Sequence, residues 1–195
     1  MSMAKGMVRN FFAVALLGVA AVPASAQVPG VSFTVVPSVG YFAPLSSLGD
    51  AAVAGEAKLD GALTIGLSAE LGVPALPFGI RANLEHVLDA KMEQDEAESG
   101  EGSITMVTGD IVFGGPRLLP VRPYLLVGAG VKRYDFDTTE SDFTGHVGGG
   151  VDVKFGPIGF VAEVSDYISQ FEFAPGETKL QNDVVARLGF RVGMF

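Results

Sequence analysis

Lys58-Leu-Asp-Gly-Ala-Leu-Thr-Ile-Gly-Leu-Ser-Ala-Glu-Leu-Gly72 alternates with period two. Leu59, Gly61, Leu63, Ile65, Leu67, Ala69 and Leu71 are apolar or small, and Lys58, Asp60, Ala62, Thr64, Gly66, Ser68 and Glu70 stand between them. Successive side chains of a β-strand point to opposite faces, so this stretch predicts a strand with one greasy and one polar face. It is roughly twice the commonest globular strand length. Its leucines and isoleucine share one face, while Asp60 and Glu70 share the other.

The pattern recurs along the chain. Alternating segments fall at about 31–43, 58–72, 78–90, 103–114, 122–134, 143–155, 158–168 and 181–195, which makes eight strands. In the third, Phe78, Ile80, Ala82, Leu84 and Leu88 oppose Arg81, Asn83, Glu85 and Asp89. The last sets Val184, Ala186, Leu188, Phe190 and Val192 against Asp183, Arg187 and Arg191.

The connections alternate as well. Those at 72–77, 114–120 and 156–157 are short and rich in Pro and Gly, whereas those at 44–56, 91–102, 135–142 and 169–179 are longer or more polar. Proline fits turns and strand starts, where its nitrogen owes no ladder hydrogen bond. This is the pattern of an antiparallel up-and-down meander with tight turns at one end and long loops at the other.

Residues 1–26 read as a cleaved secretory signal. Lys5 and Arg9 supply the basic region, Phe11 to Val22 the apolar stretch, and Ala24-Ser25-Ala26 the cleavage site. The domain proper is then 27–195. No later apolar run is long enough for a transmembrane helix, so any membrane span would be built from strands. The chain has no cysteine, which removes disulfides and thiolate metal sites. With 22 acidic against 13 basic residues its formal charge is −9, and two of those cations lie in the leader. Such a balance argues against nucleic acid as a partner.

Three features place the apolar faces outward, toward lipid, rather than inward around a ligand as in a soluble barrel. Each apolar face runs about seven to ten residues, the reach a tilted strand needs to cross a bilayer. The opposite faces hold charges of both signs. The acidic excess lies largely in the loops rather than over a water-facing sheet. The aromatic placement agrees: Phe78, Phe113, Tyr124, Phe155 and Phe160 cluster near the short turns, and Tyr41, Tyr134, Phe136, Phe143 and Tyr167 near the long loops.

An eight-stranded barrel has room inside only for side chains. Desolvated charges there must pair. Glu70, Arg81, Glu85, Asp152, Lys154, Glu163, Arg187 and Arg191 are therefore expected to form an internal polar plug, with a narrow pore as the alternative. Asp110 and Lys132 lie on inward phases too, as does His146.

Other chemistry is weakly signalled. The mature chain has no Gly-x-Ser-x-Gly elbow, HExxH or Walker loop. His86 is on a lipid-facing phase, with Ser103 and Ser169 expected at a similar height, which leaves a lipid A-modifying enzyme as a lesser alternative. The acidic run Glu93, Asp95, Glu96, Glu98 and Glu101, with Asp135, Asp137, Glu140 and Asp142, offers hard oxygen ligands. Its spacing does not match an EF-hand, and such loops are usually only solvated. No catalytic residue, metal ligand or cofactor is assigned.

Pro37-Ser-Val-Gly-Tyr-Phe-Ala-Pro44, Arg122-Pro-Tyr-Leu-Leu-Val-Gly-Ala-Gly130 and the terminal Phe195 together resemble the small eight-stranded outer-membrane β-barrel proteins of Gram-negative bacteria, the OmpA/OmpX-like group. The resemblance implies a monomeric, multi-pass outer-membrane barrel, reached by Sec-type export, in contact with outer-membrane lipids and lipopolysaccharide. Its expected role is structural, in membrane integrity, or in surface interaction through acidic extracellular loops. The resemblance also implies that Phe195 is the signal read by the barrel-assembly machinery, although Phe195 is out of phase with Val184 through Val192.

Overall fold

The computed structural model describes residues 32–46, 57–72, 76–94, 97–115, 120–136, 139–155, 158–174 and 177–194; of these, the side chains at 57–58, 92–94, 97–100, 170–174, 177–179 and 194 are not described. The leader at 1–26 and Phe195 lie outside them.

Nine strand segments follow one another: β1 (Ser32–Pro44), β2 (Ala57–Leu59), β3 (Ala62–Gly72), β4 (Phe78–Gln94), β5 (Ala97–Gly114), β6 (Val121–Asp135), β7 (Thr139–Phe155), β8 (Ile158–Ala174) and β9 (Glu177–Met194). Segments β2 and β3 both pair with β4, so they are two pieces of one barrel strand. Each strand pairs antiparallel with its chain neighbour, β9 pairs with β1, and the β4–β5 pairing closes the sheet. The result is an all-antiparallel, eight-stranded up-and-down barrel. Closure leaves no long sheet edge in the wall.

Two local breaks move residues off the faces that simple alternation predicts. At Asp60–Gly61 the strand is interrupted and its phase reverses. Leu59, expected outward, is 5% exposed and belongs to an interior apolar cluster, while Asp60, expected inward, is half-buried with its N–H donating to the Lys91 carbonyl. The opening stretch is therefore in phase only from Ala62 onward. In β4 the pairing with β5 shifts between Val87 and Ala90, and Asp89 takes φ 50°. Val87 keeps the inward phase of Arg81 and Glu85; past it, this bulge turns Ala90 inward, fully buried, and leaves Asp89 exposed rather than inside.

Most of the long connections are paired strand. β4 continues to Gln94 and β5 starts at Ala97; β6 ends at Asp135 and β7 starts at Thr139; β8 ends at Ala174 and β9 starts at Glu177. Three of the four expected long loops are thus hairpin extensions of the barrel wall, because the antiparallel ladder continues past the level where the apolar face stops.

Outside, Leu63, Val107, Leu125, Phe143, Val164 and Leu188 are exposed. Phe155 packs edge-on against Phe160 and Phe160 against Phe190, with centroids 6.4 and 5.6 Å apart. Phe78 tilts against Phe113 at 6.2 Å. These form the aromatic level at the short-turn end, while Tyr41 and Phe143 remain outside at the other end. Tyr124, Tyr134 and Tyr167 leave the expected girdles for the interior, each at most 5% exposed; Tyr124 and Tyr134 donate there to Glu163 and Gln181, and Tyr167 stacks on His146. Phe136 is partly buried against the interior cluster.

Candidate functional site

Seven inward residues from five strands form one unbroken chain of alternating charge. Asp152 on β7 meets Arg191 on β9 at 3.4 Å, and Arg191 meets Glu70 on β3 at 3.0 Å. Glu70 accepts from Arg81 on β4 at 3.0 Å, and Arg81 donates to Glu163 on β8 at 2.6 Å. Glu163 also faces Arg187 at 2.6 Å, and Arg187 donates to Glu85 at 3.2 Å. All seven are buried.

The strands place them there by phase alone. Glu70, Arg81, Glu85, Glu163, Arg187 and Arg191 each take the inward position of an undisturbed alternating stretch, and Asp152 faces inward from β7. The central members have the densest contacts. Glu163 accepts the Tyr124 hydroxyl at 2.6 Å and the Ser165 hydroxyl at 3.0 Å besides meeting two arginines. Arg81 lies over the Tyr124 ring, 5.1 Å from its centroid. Glu85 accepts the Thr64 hydroxyl, and Arg187 also donates to Asn83 Oδ1. Asp152, at one end, touches Arg191 without a hydrogen bond. A gap bordered by Ser38, Ser68, Arg81 and Arg187 leaves no room for a water molecule.

Of the eight residues expected in the plug, the chain joins Glu70, Arg81, Glu85, Asp152, Glu163, Arg187 and Arg191. Lys154 is half-buried at the short-turn end, level with Gly159.

Toward the hairpin end the interior changes character. Phe42, Leu59, Val87, Ile104, Met106 and Val185 build a dry cluster there. Within it, Lys132 on β6 and Asp183 on β9 form a fully buried ion pair, and the Lys132 ammonium lies 5.4 and 4.8 Å from the Phe42 and Tyr134 ring centroids. Tyr134 donates to Gln181 at 2.6 Å. Between the two tiers, His146 Nδ1 is 2.9 Å from Asp110 and its ring stacks on Tyr167 at 4.2 Å. The inward phase of these residues was legible in the sequence, but the apolar tier was not. Its members Phe42, Val87 and Ile104 lie near the hairpin-side limits of the alternating segments at 31–43, 78–90 and 103–114, and β4 and β5 continue past those limits as strand.

On the outer wall, His86 Nδ1 lies 2.9 Å from the Thr105 hydroxyl. Ser103 sits beside Asp135 in the ladder. Ser169, expected at a similar height to His86, lies inside the barrel, 1% exposed. The His86 surroundings therefore lack the serine that an acyl-transfer reading would draw from β8. Among the described residues no group of three or more His, Cys, Asp or Glu side chains converges as a metal site.

No protein-family model matches the chain, and no curated protein does. Solved structures do. The Neisserial surface protein A superposes with a TM-score of 0.58 at 13% identity, over 84% of this chain and 96% of that one. The N-terminal β-barrel domain of Pseudomonas aeruginosa OprF gives 0.51 at 12% identity, over 83% and 97%. A major outer membrane protein of Thermus thermophilus gives 0.50 at 14% identity, over 84% and 99%. At such identities the likeness is one of fold. The chain has the fold of the small outer-membrane barrels, in line with the OmpA/OmpX-like resemblance of its sequence.

Proposed function

We propose that this chain is an integral outer-membrane barrel, exported on a leader cleaved after Ala26 and sealed inside, whose role is structural or surface-interactive and neither conductive nor catalytic. The observation that carries the reading is the inverted burial pattern. Leu63, Leu125 and Leu188 are 66 to 67% exposed on the outside, while Arg81, Glu85 and Lys132 are at most 2% exposed inside. Water would penalise that arrangement on both faces; hydrocarbon around an interior of paired charges favours it.

The alternating charge chain supports a plug rather than a pore. Every cation in it contacts two or more acceptors, and the gap beside Arg81 and Arg187 is too small for water. Closure of the sheet supports a monomer. The acidic hairpins supply the surface available to other molecules. Outer-membrane lipids and lipopolysaccharide are the proposed surroundings, and the barrel-assembly machinery, reading Phe195, the proposed insertion partner.

Two measurements test this. After cell fractionation the protein should stay with the outer membrane through a urea wash and run with heat-modifiable mobility on gels; recovery in the soluble periplasmic fraction overturns the membrane reading. In planar bilayers the refolded barrel should give no sustained conductance steps; long-lived open steps overturn the plug. Incubation with lipopolysaccharide should release no fatty acid.

A further inference from the structure

On β4 to β7 the outer wall is organised in register rows. Leu84, Val107, Val131 and Phe143 form one row of directly paired positions. The three rows beneath it, which start at Phe78, Ile80 and Ala82, hold only aliphatic, aromatic or glycine residues. The next row toward the hairpins is His86, Thr105, Arg133 and Ser141. All four strands therefore change from apolar to polar at the same register step.

This row is rich in donors. Arg133 Nε and Nη2 donate to Asp135 at 3.0 and 3.1 Å, and Thr139 donates to the same carboxylate at 2.8 Å. The side chains of Arg133 and Asp135 are 54% and 38% exposed. Asp135 thus fixes one edge of the guanidinium, and among the described residues the Nη1 amine has no partner. Thr105 and His86 stand in the adjacent paired positions, within about 5 Å at Cβ as cross-strand neighbours are.

We infer that His86, Thr105, Arg133 and Ser141 form a shelf for the phosphate of an outer-leaflet lipid headgroup, with the acyl chains lying down the apolar rows below. The assignment rests on the membrane reading above. A guanidinium with an unused edge, beside the Ser141 hydroxyl and the hydrogen-bonded His86–Thr105 pair, which has one further N–H or O–H to give, suits a phosphate, which takes several donors at once. The location selects a lipid over a free anion. The chain carries a formal charge of −9 and its hairpins hold Glu101, Glu140 and Asp142, so anions arriving from solution are repelled. A lipid brings its phosphate to this height already anchored by burial of its chains.

The test reconstitutes the refolded full barrel into phosphatidylcholine nanodiscs doped with diphosphoryl lipid A or with the same lipid dephosphorylated. Co-purifying lipid A is then quantified by mass spectrometry after exchange into detergent. The wild type should retain the phosphorylated form in about tenfold excess, the effect of one or two charge-assisted hydrogen bonds. Arg133→Gln should bring that ratio near parity, and Thr105→Val should reduce it part of the way. Arg133 is exposed, so the variant should keep its heat-modifiable mobility, which serves as the folding control. An unchanged excess in Arg133→Gln overturns the shelf, as does displacement of lipid A by excess inorganic phosphate. Failure of the wild-type barrel to enter nanodiscs at all would instead overturn the membrane reading.

Discussion

Arg81 on β4 and Glu163 on β8 meet across the full width of the barrel, 2.6 Å apart from Nη1 to Oε2. Four strand steps separate β4 from β8 in either direction around the sheet. Each partner also serves a second ion of opposite charge, Glu70 for Arg81 and Arg187 for Glu163. The pair is thus the central link of the interior charge chain.

Removing that link should cost far more than trimming the end of the chain. Glu163→Gln leaves Arg81 and Arg187 each short of a buried counter-charge and should destabilise by about 3–5 kcal/mol. Asp152→Asn removes only a 3.4 Å contact without a hydrogen bond and leaves Arg191 its bond to Glu70, so its cost should be well below that of Glu163→Gln. Urea titration of the folded fraction, read by gel mobility, gives both values; equal losses would contradict the link-and-end picture.

The Lys132–Asp183 pair lies in apolar surroundings, which predicts a different pattern. Lys132→Met alone should lose about 3 kcal/mol or more, because Asp183 stays buried without its cation. Lys132→Met with Asp183→Leu should recover to within about 1 kcal/mol of wild type, since well-packed apolar pairs often replace buried ion pairs without loss. A double-mutant cycle measures the coupling. A double variant weaker than the single one would show that the pair itself is required.

Leu188 is 66% exposed in the middle of the outer wall. In lipid, Leu188→Arg should cost about 2–4 kcal/mol for a cation near mid-bilayer. A water-facing wall would tolerate the same change or gain solubility from it. Refolding equilibria in lipid vesicles decide between them.

Asp89 holds φ 50° at the β4 bulge. Asp89→Gly should stabilise by up to about 1 kcal/mol, and Asp89→Val should destabilise by about 1–2 kcal/mol, because only the side chain's strain in the left-handed region differs. Since Asp89 is exposed, the folded fraction in denaturant reads that strain without a packing contribution.

Gly130 faces inward where β6 crosses β5, and a Cβ there would overlap the Val107 carbonyl oxygen. Backbone cannot step aside as a side chain can. Gly130→Ala should therefore lower stability by about 1–3 kcal/mol, measurable as a fall in the urea midpoint.

The sequence by itself determined the strands, their number and most of their faces, because period-two alternation is a property of the local pleat and needs no partner. Glu70, Arg81, Glu85, Glu163, Arg187 and Arg191 were legible as inward residues for that reason, and the asymmetry of the connections gave the meander. The tertiary structure decided what depends on register. Leu59 turned inward because the ladder breaks at Asp60–Gly61, and Asp89 turned outward because β4 gains a residue against β5. Tyr124 faces inward on the same phase of β6 as Lys132 and Tyr134, and only the closed barrel brings its hydroxyl to Glu163, 39 residues away. Which arginine meets which acid follows from closing eight strands into a ring. The register offset of each hairpin adds to the next around that ring, and only closure brings Arg81 opposite Glu163.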